Sequence, residues 1–288
     1  MTSIIIGANG QDGYYLNQLL VQEGHKVIAI SRSEGFDQTD IKDYTATSKL
    51  IADEKPEYIF HLAANSTTNH NSLFENHATI STGTLNILEA VKQFSPFSKV
   101  FISGSGLQFK NNNLPIKETD EFEARDAYSV SRIHSVYAAR YFRRSGLKIY
   151  VGYFFNHDSP QRTERHMAKK ISAAALRIGN GSNEKLVIGD LNAIKEWTYA
   201  GDVVKGILTL VQQENIFEAN IGSGIGYSIK DWLNECFTLV GKDWKDHVET
   251  NPGFIPDYKQ LVSDSSLIHS LGWQPQISFK DLAKMMMQ

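Results

Sequence analysis

The fold of this chain is decided by its opening stretch, Ile4-Ile5-Ile6-Gly7-Ala8-Asn9-Gly10-Gln11-Asp12-Gly13. A short run of β-branched residues is typical of a buried strand. Three glycines follow at a spacing of three, and the apolar pattern of Tyr14–Glu23 predicts a helix behind them. Strand, glycine turn and helix in this order are typical of a dinucleotide site, because the glycines permit close backbone approach and the helix N-terminus offers free N–H groups to a pyrophosphate. An ordinary strand-to-helix turn is the alternative interpretation.

The alternation of strand and helix continues through the first hundred residues. Further strands are predicted at Lys26–Ile30, Tyr58–Leu62 and Lys99–Ser103, with a helix at Thr82–Gln93 between the last two. This alternation predicts an α/β fold, a doubly wound parallel sheet of the Rossmann type with helices on both faces. From about Gly152 the elements become short and mixed, which predicts a smaller C-terminal substrate-binding lobe. We therefore expect a Rossmann domain at 1–155 plus about 198–222, and the lobe at about 156–197 and 223–288.

Composition excludes several classes of protein. The 288 residues carry a net charge of −3 with both signs mixed, which gives no basic footprint for nucleic acid or a membrane surface. No apolar run approaches the roughly 20 residues of a membrane span. The chain enters a strand at once, and we expect no signal peptide before it. Cys236 is the only cysteine, which excludes a cysteine-based zinc site, and we expect no metal. We expect a cytoplasmic protein.

The end of the second predicted strand bears on the adenosine ribose. NAD-preferring enzymes place an acidic residue there for the 2′-hydroxyl. Here the strand ends Ile30-Ser31-Arg32-Ser33, and a guanidinium with two hydroxyls suits a 2′-phosphate. NADP(H) is therefore favoured as cofactor, with NAD(H) as the alternative. Asp40 and Ile41 lie where such folds hold the adenine, although an exposed turn aspartate is an equal interpretation.

Two further stretches follow predicted strands at their carboxyl ends, where ligands of open α/β sheets bind. Leu62-Ala63-Ala64-Asn65-Ser66 supplies small residues that let a cofactor approach the backbone. Ser105 follows the fourth strand. We interpret His61, just before the first stretch, as a packed strand residue.

A tyrosine and an arginine share one helical face after these strands. Tyr128 and Arg132 are four residues apart in a helix predicted to run through Arg144. A cation beside a phenol favours its deprotonated form, so the phenol can exchange a proton with a sugar hydroxyl or carbonyl. Ser105 could hold the same oxygen. Together these residues predict proton and hydride transfer at a sugar carbon.

With these motifs the chain resembles the extended short-chain dehydrogenase/reductases, and within them the branch of GDP-mannose 4,6-dehydratase and GDP-4-keto-6-deoxymannose reductase. The resemblance spans nearly the whole length. Besides Gly7–Gly13 and Leu62–Ser66, it rests on Gly83–Ala90, Asn156-His157-Asp158-Ser159-Pro160-Gln161-Arg162, Ile188–Ala193, Lys195-Glu196-Trp197 and Gly272-Trp273-Gln274-Pro275. The Asn-His-x-Ser-Pro stretch is the most specific to the GDP-sugar branch.

The resemblance implies a role for each matching residue. Ser105, Tyr128 and Arg132 take the catalytic Ser/Thr, Tyr and Lys places. Cofactor binding is implied for Gly7, Gly10, Gln11, Asp12, Gly13, Arg32, Asp40, Ile41, Leu62, Ala63, Ala64, Ser66, His157 and Arg162. Substrate binding is implied for Asn156, Lys170 and Lys195.

Three departures from the family pattern bear on the reaction. The family lysine is Arg132, and a planar guanidinium does not replace a compact ammonium. The 4,6-dehydratases carry a glutamate two residues past the Ser/Thr, which takes the C5 proton, whereas this chain has Leu107, which cannot move a proton. An Arg-Pro pair of the family is Asn251-Pro252, so one nucleotide contact is expected to be missing.

These residues favour an NADP(H)-dependent reduction at C4 of a GDP-4-keto-6-deoxyhexose or a heptose relative. One alternative is a nucleotide-sugar 4,6-dehydratase or epimerase with retained cofactor. The other is a nucleotide-sugar or NADP-binding protein with degraded catalysis. By resemblance alone we expect a homodimer, paired through the helices at Thr82–Gln93 and Tyr128–Arg144.

Overall fold

The computed structural model describes residues 1–251 and 253–288, so Pro252 of the predicted Asn251-Pro252 departure lies outside the described residues. The strands are β1 Thr2–Ile6, β2 Lys26–Ile30, β3 Tyr58–His61, β4 Lys99–Ser105, β5 Lys148–Phe154, β6 His157–Asp158, β7 Leu186–Ile188, β8 Ile194–Glu196, β9 Thr198–Tyr199, β10 Glu218–Ile221, β11 Gly226–Ser228, β12 Val248–Thr250 and β13 Gln260–Leu261. The α-helices are α1 Gln11–Gln22, α2 Tyr44–Glu54, α3 Leu73–Asn76, α4 Gly83–Phe94, α5 Ala127–Arg143, α6 Met167–Gly179, α7 Ala200–Val211, α8 Ile229–Leu239, α9 Ser266–Ser270 and α10 Phe279–Met286.

Six of the strands form one parallel sheet in the order β10-β5-β4-β3-β1-β2. The chain builds β2 on one side of β1 and then crosses to build β3 on the other side. This reversal of direction opens a crevice at the carboxyl ends of β1 and β3, where open α/β sheets bind ligands. The predicted doubly wound parallel sheet is confirmed.

Both faces of the sheet are covered, because successive side chains of a strand point to opposite faces. In β1, Ile4 and Ile6 belong to the core beneath α2, α4 and α5, while Ile5 belongs to the core beneath α1 and α7. All three isoleucines are buried. This double burial explains why the opening strand is apolar at every position instead of alternating.

After β5 the chain leaves the sheet, and it returns only with β10. The intervening and following segments form small sheets, β11-β8-β13, β12-β7 and β6-β9, around a separate core with α6, α8 and α10. In that core the rings of Trp197 and Trp232 stack with centroids 4.5 Å apart. Trp197, Trp232 and Trp273 are all buried, so they are core residues. The exact division into two domains stays a prediction.

Within residues 1–251 and 253–288, no helix combines the length and the apolarity that crossing a membrane requires.

Candidate active site

The glycine turn between β1 and α1 leaves no room for side chains. Gly7 has a φ of +95°, and a Cβ on it would lie 2.7 Å from the backbone nitrogen of Ala63. A Cβ on Gly13 would lie 2.4 Å from the Gly7 carbonyl oxygen. Gly10 caps α1 in extended conformation, and no side chain caps this helix. The first N–H groups of α1 are therefore available to an anion, as the motif predicts.

Two cavities meet at this turn. The adenosine-side cavity measures about 520 Å³ and lies beside the ends of β2 and β3. The catalytic-side cavity measures about 400 Å³ and lies beside the ends of β4 and β5. Gly7, Gly10, Leu62 and Ala64 line both of them. The turn thus stands at the middle of one continuous trough along the edge of the sheet.

The structure brings the predicted adenosine-binding residues together in the adenosine-side cavity. Arg32, Asp40, Ile41 and Ala63 all line it. Ile41 is buried, whereas Arg32 and Asp40 are exposed. The Arg32 guanidinium lies 3.4 Å from the Glu75 carboxylate, and the Asp40 carboxylate lies 3.3 Å from the Lys42 ammonium. The Arg32 and Asp40 side chains are therefore hydrated, and their ion pairs lie at the surface.

Ser105, Tyr128 and Arg132 converge in the catalytic-side cavity. The Ser105 N–H donates to the Gln108 amide oxygen at 2.9 Å, and its Oγ accepts from the Leu107 N–H at 3.2 Å. The Asp126 carboxylate caps α5 by accepting from the Tyr128 and Ser129 N–H groups, each at 2.8 Å. Local hydrogen bonds thus fix the backbone on both sides of the predicted reaction centre.

Arg132 has a partner that the sequence did not predict. Its guanidinium donates to the Ser103 carbonyl oxygen and, at 2.8 Å, to the Ser103 Oγ. The same guanidinium lies 5.0 Å from the centroid of the Tyr128 ring. Arg132 is buried, and its Nε has no hydrogen-bond partner among the described residues. The cation is therefore anchored to the end of β4 and stacked over the tyrosine.

His61 lies close to this cation and is buried in β3. Burial first, and the charge of Arg132 second, lower the pKa of His61 to about 4. A histidine with this pKa is neutral near pH 7 and adds no second charge beneath Arg132. Its interpretation as a packed strand residue is confirmed.

Asp12 and His157 form an ion pair across the trough. The His157 Nε2 lies 2.8 Å from the Asp12 carboxylate, and its Nδ1 lies 2.7 Å from the Phe155 carbonyl oxygen. Burial alone would raise the pKa of Asp12, but His157 and then Arg162 outweigh it and hold that pKa at about 2. Burial opposes the charge on His157 too, yet Asp12 raises its pKa above the usual value. Gln11 braces the pair: its amide nitrogen donates to Asp12, and its amide oxygen accepts from the Ser159 hydroxyl at 2.8 Å.

Basic side chains line the opposite wall of the catalytic-side cavity. Arg162, Arg165, His166 and Lys195 form this basic wall, and Asn156 lies beside them. Burial and then Arg162 lower the pKa of His166 to about 4, so the histidine is neutral near pH 7. Lys195 is buried with its ammonium 4.3 Å from the centroid of the Trp197 ring, and burial lowers its pKa. Asp158, 3.6 Å from Arg162, is the carboxylate within this wall as far as the structure describes it. The wall therefore carries an excess of positive charge.

Not every predicted residue reaches the trough. Gln11, Asp12, Ser66, His157, Arg162, Asn156 and Lys195 line the catalytic-side cavity. Lys170 lies outside both cavities, because it sits in the second turn of α6 and its ammonium donates to the Val187 carbonyl oxygen at 3.0 Å. Its predicted contact with substrate stays a prediction.

Among the described lining residues with titratable side chains, Arg165, His166 and Tyr258 could not be found in the motifs of the sequence. Arg165 and His166 directly follow the quoted Asn156–Arg162 stretch, so their position next to that motif was the available signal. Tyr258 comes from a distant loop and carries no sequence signal. Burial raises its pKa to about 12, so it is a neutral hydroxyl in the cavity.

Leu107 occupies the place in the cavity where a proton-transferring side chain is expected for dehydration. It lines the catalytic-side cavity and packs against the apolar core of the sheet. The carboxylates that line this cavity within the described residues are Asp12 and Asp158. Asp12 is paired with His157 and Asp158 lies beside Arg162, so neither is a free base.

Comparison with known proteins places this geometry among relatives. The family model for GDP-mannose 4,6 dehydratase matches residues 4–286. GDP-mannose 4,6 dehydratase 1 of Arabidopsis thaliana is 29% identical over 99% of this chain and 88% of its own length. The crystal structure of UDP-glucose 4-epimerase from Thermotoga maritima, solved with UDP-glucose, matches with a TM-score of 0.89 at 21% identity, over 100% of this chain and 97% of its own. The structure of RMD from Pseudomonas aeruginosa, complexed with NADPH, matches with a TM-score of 0.87 at 18% identity, over 99% and 97%.

Proposed function

The chain belongs to the GDP-mannose 4,6 dehydratase family, and from that premise we propose that it reduces C4 of a GDP-4-keto-6-deoxyhexose, or of a heptose relative, with NADP(H). As a member it is an NAD(P)-dependent short-chain dehydrogenase/reductase that acts on a nucleotide sugar. The choice of reduction over dehydration, of GDP as the nucleotide and of NADP(H) over NAD(H) is the proposal.

The trough fits an extended dinucleotide. The uncapped N-terminus of α1 and the glycines that exclude side chains form a cradle for a pyrophosphate at its middle. The adenosine-side cavity holds Arg32 and Ser33 but no acidic residue at the end of β2, which supports NADP(H). Gly7, Gly10, Gly13, Arg32, Ile41 and Ala63 would hold the cofactor. When bound, its nicotinamide supplies the hydride that goes to the carbonyl carbon.

The residues of the catalytic-side cavity supply what the carbonyl oxygen needs. Tyr128 delivers a proton to that oxygen, and the Ser105 hydroxyl donates a hydrogen bond to it. Arg132 stacks over the tyrosine and stabilises the phenolate that remains after proton transfer. Lys195 of the basic wall offsets the charge of the substrate diphosphate. Each group acts on the C4 oxygen or the phosphates, and none acts at C5 or C6.

Leu107 is the observation that carries the choice of reduction. Elimination of water from C6 requires a group that removes the C5 proton, and a leucine side chain has no atom that accepts one. Reduction at C4 makes no such demand. Since Asp12 and Asp158 are engaged by His157 and Arg162, no other described carboxylate of the cavity is free for that step.

Two incubations of the purified protein test the proposal. With GDP-4-keto-6-deoxymannose and NADPH, we expect loss of the NADPH absorbance and a product two mass units heavier than the substrate. With GDP-mannose and NADP⁺, we expect no 4-keto-6-deoxy product by mass spectrometry. Formation of that product from GDP-mannose would overturn the use made of Leu107.

A second candidate function is 4,6-dehydration, or epimerisation with retained cofactor. The name carried by the Arabidopsis relative favours dehydration. The GDP-mannose incubation distinguishes it from reduction, because only dehydration loses water and leaves the cofactor unchanged after turnover.

A third candidate is a nucleotide-sugar or NADP-binding protein with degraded catalysis. The anchoring of Arg132 to Ser103 favours it, because that bond occupies a guanidinium nitrogen that could otherwise orient the nicotinamide ribose. A protein that binds NADPH and GDP but turns over no 4-keto sugar would support this function.

We also propose that two copies pair through α4 and α5. Large apolar side chains are exposed along both helices, with Leu85 and Phe94 on α4 and Val130, Tyr137 and Tyr141 on α5. Tyr137 is 58% exposed and Tyr141 is 63% exposed, which is unusual for aromatic rings on one helical face. Light scattering of the eluted protein would give twice the mass of the chain if the pairing is correct.

A further inference from the structure

Arg165 stands where the two cavities meet. It lines both the adenosine-side and the catalytic-side cavity, and it is the only cationic side chain of the described lining residues to do so. Its companions in both linings include Gly7, Asn9 and Gly10 of the glycine turn. Arg165 and the glycine turn therefore both lie at the junction of the two cavities.

The charge of Arg165 is not used by the protein itself. The side chain is exposed, and within the described residues no carboxylate lies within ion-pair distance of it. Two other cations, Arg162 and Lys195, belong to the same wall, together with the Asp158 carboxylate beside Arg162, and the charge of Arg165 contributes to the lowered pKa of His166. A third cation in the same wall as Arg162 and Lys195 adds to the positive potential of this part of the trough, and that potential attracts an anion.

The glycine turn at this junction attracts an anion as well. The first turn of α1 is uncapped, and the partial positive charge of a helix N-terminus favours an anion there. A dinucleotide pyrophosphate on the glycine turn would then have N–H groups on one side and a guanidinium on the other. A guanidinium binds phosphate oxygens in a two-pronged arrangement, which an ammonium cannot do.

We propose that Arg165 binds the pyrophosphate of the dinucleotide from the lobe side and so retains the cofactor. This inference rests on the proposed function only for the presence of a dinucleotide, and not for the reaction. Arg165 is a binding residue for the cofactor, distinct from Arg162 and Lys195, which line only the catalytic-side cavity. Arg32 lies at the other end, in the adenosine-side cavity alone.

Binding measurements with the full chain test the proposal without turnover. The variants are Arg165→Gln, Arg165→Lys and, as matched control, Arg144→Gln, an exposed arginine at the end of α5 that lies outside both cavities. The probes are NADPH, NADH, adenosine 2′-monophosphate, which lacks the pyrophosphate, and GDP. We expect Arg165→Gln to weaken the binding of NADPH and of NADH about tenfold each, equivalent to about 1.4 kcal/mol. Adenosine 2′-monophosphate and GDP should stay within twofold, Arg165→Lys should recover part of the loss, and the control should match the parent protein.

Three other patterns would overturn the proposal. If Arg165→Gln loses affinity for NADPH and for adenosine 2′-monophosphate but not for NADH, Arg165 contacts the 2′-phosphate instead. If the variant loses affinity for GDP alone, Arg165 contacts the substrate nucleotide instead. Unchanged binding of all four probes would exclude a phosphate contact. Absence of dinucleotide binding by the parent protein would instead refute the proposed function, and absence of turnover with normal binding would refute the reaction while leaving the role of Arg165 intact.

Discussion

The two cavities of the trough differ in how they hold charge. In the adenosine-side cavity, the Arg32 and Asp40 side chains are exposed and their ion pairs with Glu75 and Lys42 are solvated. In the catalytic-side cavity, Arg132 and Lys195 are buried, and Asp12 and His157 bond each other in a mostly enclosed pair. Exposed pairs contribute little, whereas buried charges are costly to leave without partners. We therefore expect large effects from substitutions in the catalytic-side cavity and small effects from substitutions in the adenosine-side cavity.

The largest effect is expected from Tyr128→Phe. Removing the hydroxyl removes the proton donor to the C4 oxygen but keeps the ring over which Arg132 stacks. We expect kcat/KM to fall about 10³-fold, equivalent to about 4 kcal/mol, since positioned acid–base groups contribute 10²–10⁴-fold. NADPH affinity should stay within twofold. Steady-state kinetics with GDP-4-keto-6-deoxymannose and fluorescence titration of NADPH measure the two quantities.

Tyr44→Phe is the matched control for that variant. Tyr44 lies in α2 outside both cavities, and its hydroxyl donates only to the Gln93 amide oxygen at 3.1 Å. It should lose no activity. Near-normal turnover by Tyr128→Phe would remove the phenol from the mechanism.

The next effect is expected at the glycine turn, from Gly13→Ala. The added Cβ would lie 2.4 Å from the Gly7 oxygen and 2.6 Å from the Ala8 Cα, and both are backbone atoms that cannot move independently. We expect a loss of about 3 kcal/mol of unfolding free energy, at the upper end for overpacking, and at least tenfold weaker NADPH binding. Chemical denaturation and fluorescence titration measure these quantities. In the control variant, Gly253→Ala, the added Cβ would lie 3.6 Å from the Asn251 Oδ1, which is an ordinary contact distance. Its unfolding free energy and its NADPH affinity should therefore stay close to those of the parent protein. Equal stability of the two variants would contradict the tight turn.

A smaller effect is expected from the Asp12–His157 pair, and it should depend on pH. The pKa of His157 in the folded protein lies above its usual 6.5. Its contribution to the free energy of unfolding is therefore full below pH 6.5 and is lost as the pH rises through the folded pKa. The folded pKa of Asp12 is about 2 against a usual 3.8, so its contribution is full above about pH 4 and is lost as the pH falls towards 2. The pair should therefore stabilise the fold most between about pH 4 and 6.5.

Unfolding of the parent protein and of His157→Gln across pH 3–9 tests this window. His157→Gln leaves the Asp12 carboxylate without its cation, and we expect a cost of about 2 kcal/mol within the window because the pair is only partly exposed. The difference in unfolding free energy between parent and variant should become smaller as the pH rises above the raised pKa of His157. If that difference in unfolding free energy does not depend on pH, His157 stabilises the fold by packing and not by its charge.

The fold was predictable because its signals are local. The apolar run at Ile4–Ile6, the glycine spacing and the alternation of elements each lie within a few tens of residues, and the parallel sheet follows from them. β10 was harder, because Glu218–Ile221 joins the edge of the sheet only after the chain has built much of a second core. The sequence predicts only that about 198–222 belongs to the Rossmann domain, and it does not predict a strand at these four residues.

The candidate site was predictable only where sheet geometry determines it. Ser105 and Leu62–Ser66 follow parallel strands, so they had to meet at one edge, and Tyr128 met them there. The bond between Arg132 and Ser103 was not predictable, because it depends on the depth at which α5 packs against β4. Tyr258 was missed since its loop reaches the cavity through lobe packing, for which periodicity gives no information. The direction of the Lys170 side chain was not predictable for the same reason: its ammonium donates to the Val187 carbonyl oxygen, and its predicted contact with substrate stays a prediction.

The smallest effect is expected from Arg32→Ala, in the adenosine-side cavity. The Arg32 side chain is 87% exposed, so its ion pair with Glu75 should contribute no more than about 0.5 kcal/mol to unfolding free energy. The role of Arg32 is expected in cofactor binding. A solvated guanidinium beside a 2′-phosphate should raise the affinity for NADPH about fivefold, equivalent to about 1 kcal/mol. The affinity for NADH, which has no 2′-phosphate, should not change. Titration of both cofactors against Arg32→Ala and Glu75→Gln measures this. Glu75→Gln frees Arg32 without removing it, so NADPH should bind as well or slightly better. If Arg32→Ala weakened NADH as much as NADPH, the guanidinium would not be reading the 2′-phosphate, and the preference for NADP(H) would lose its support in this cavity.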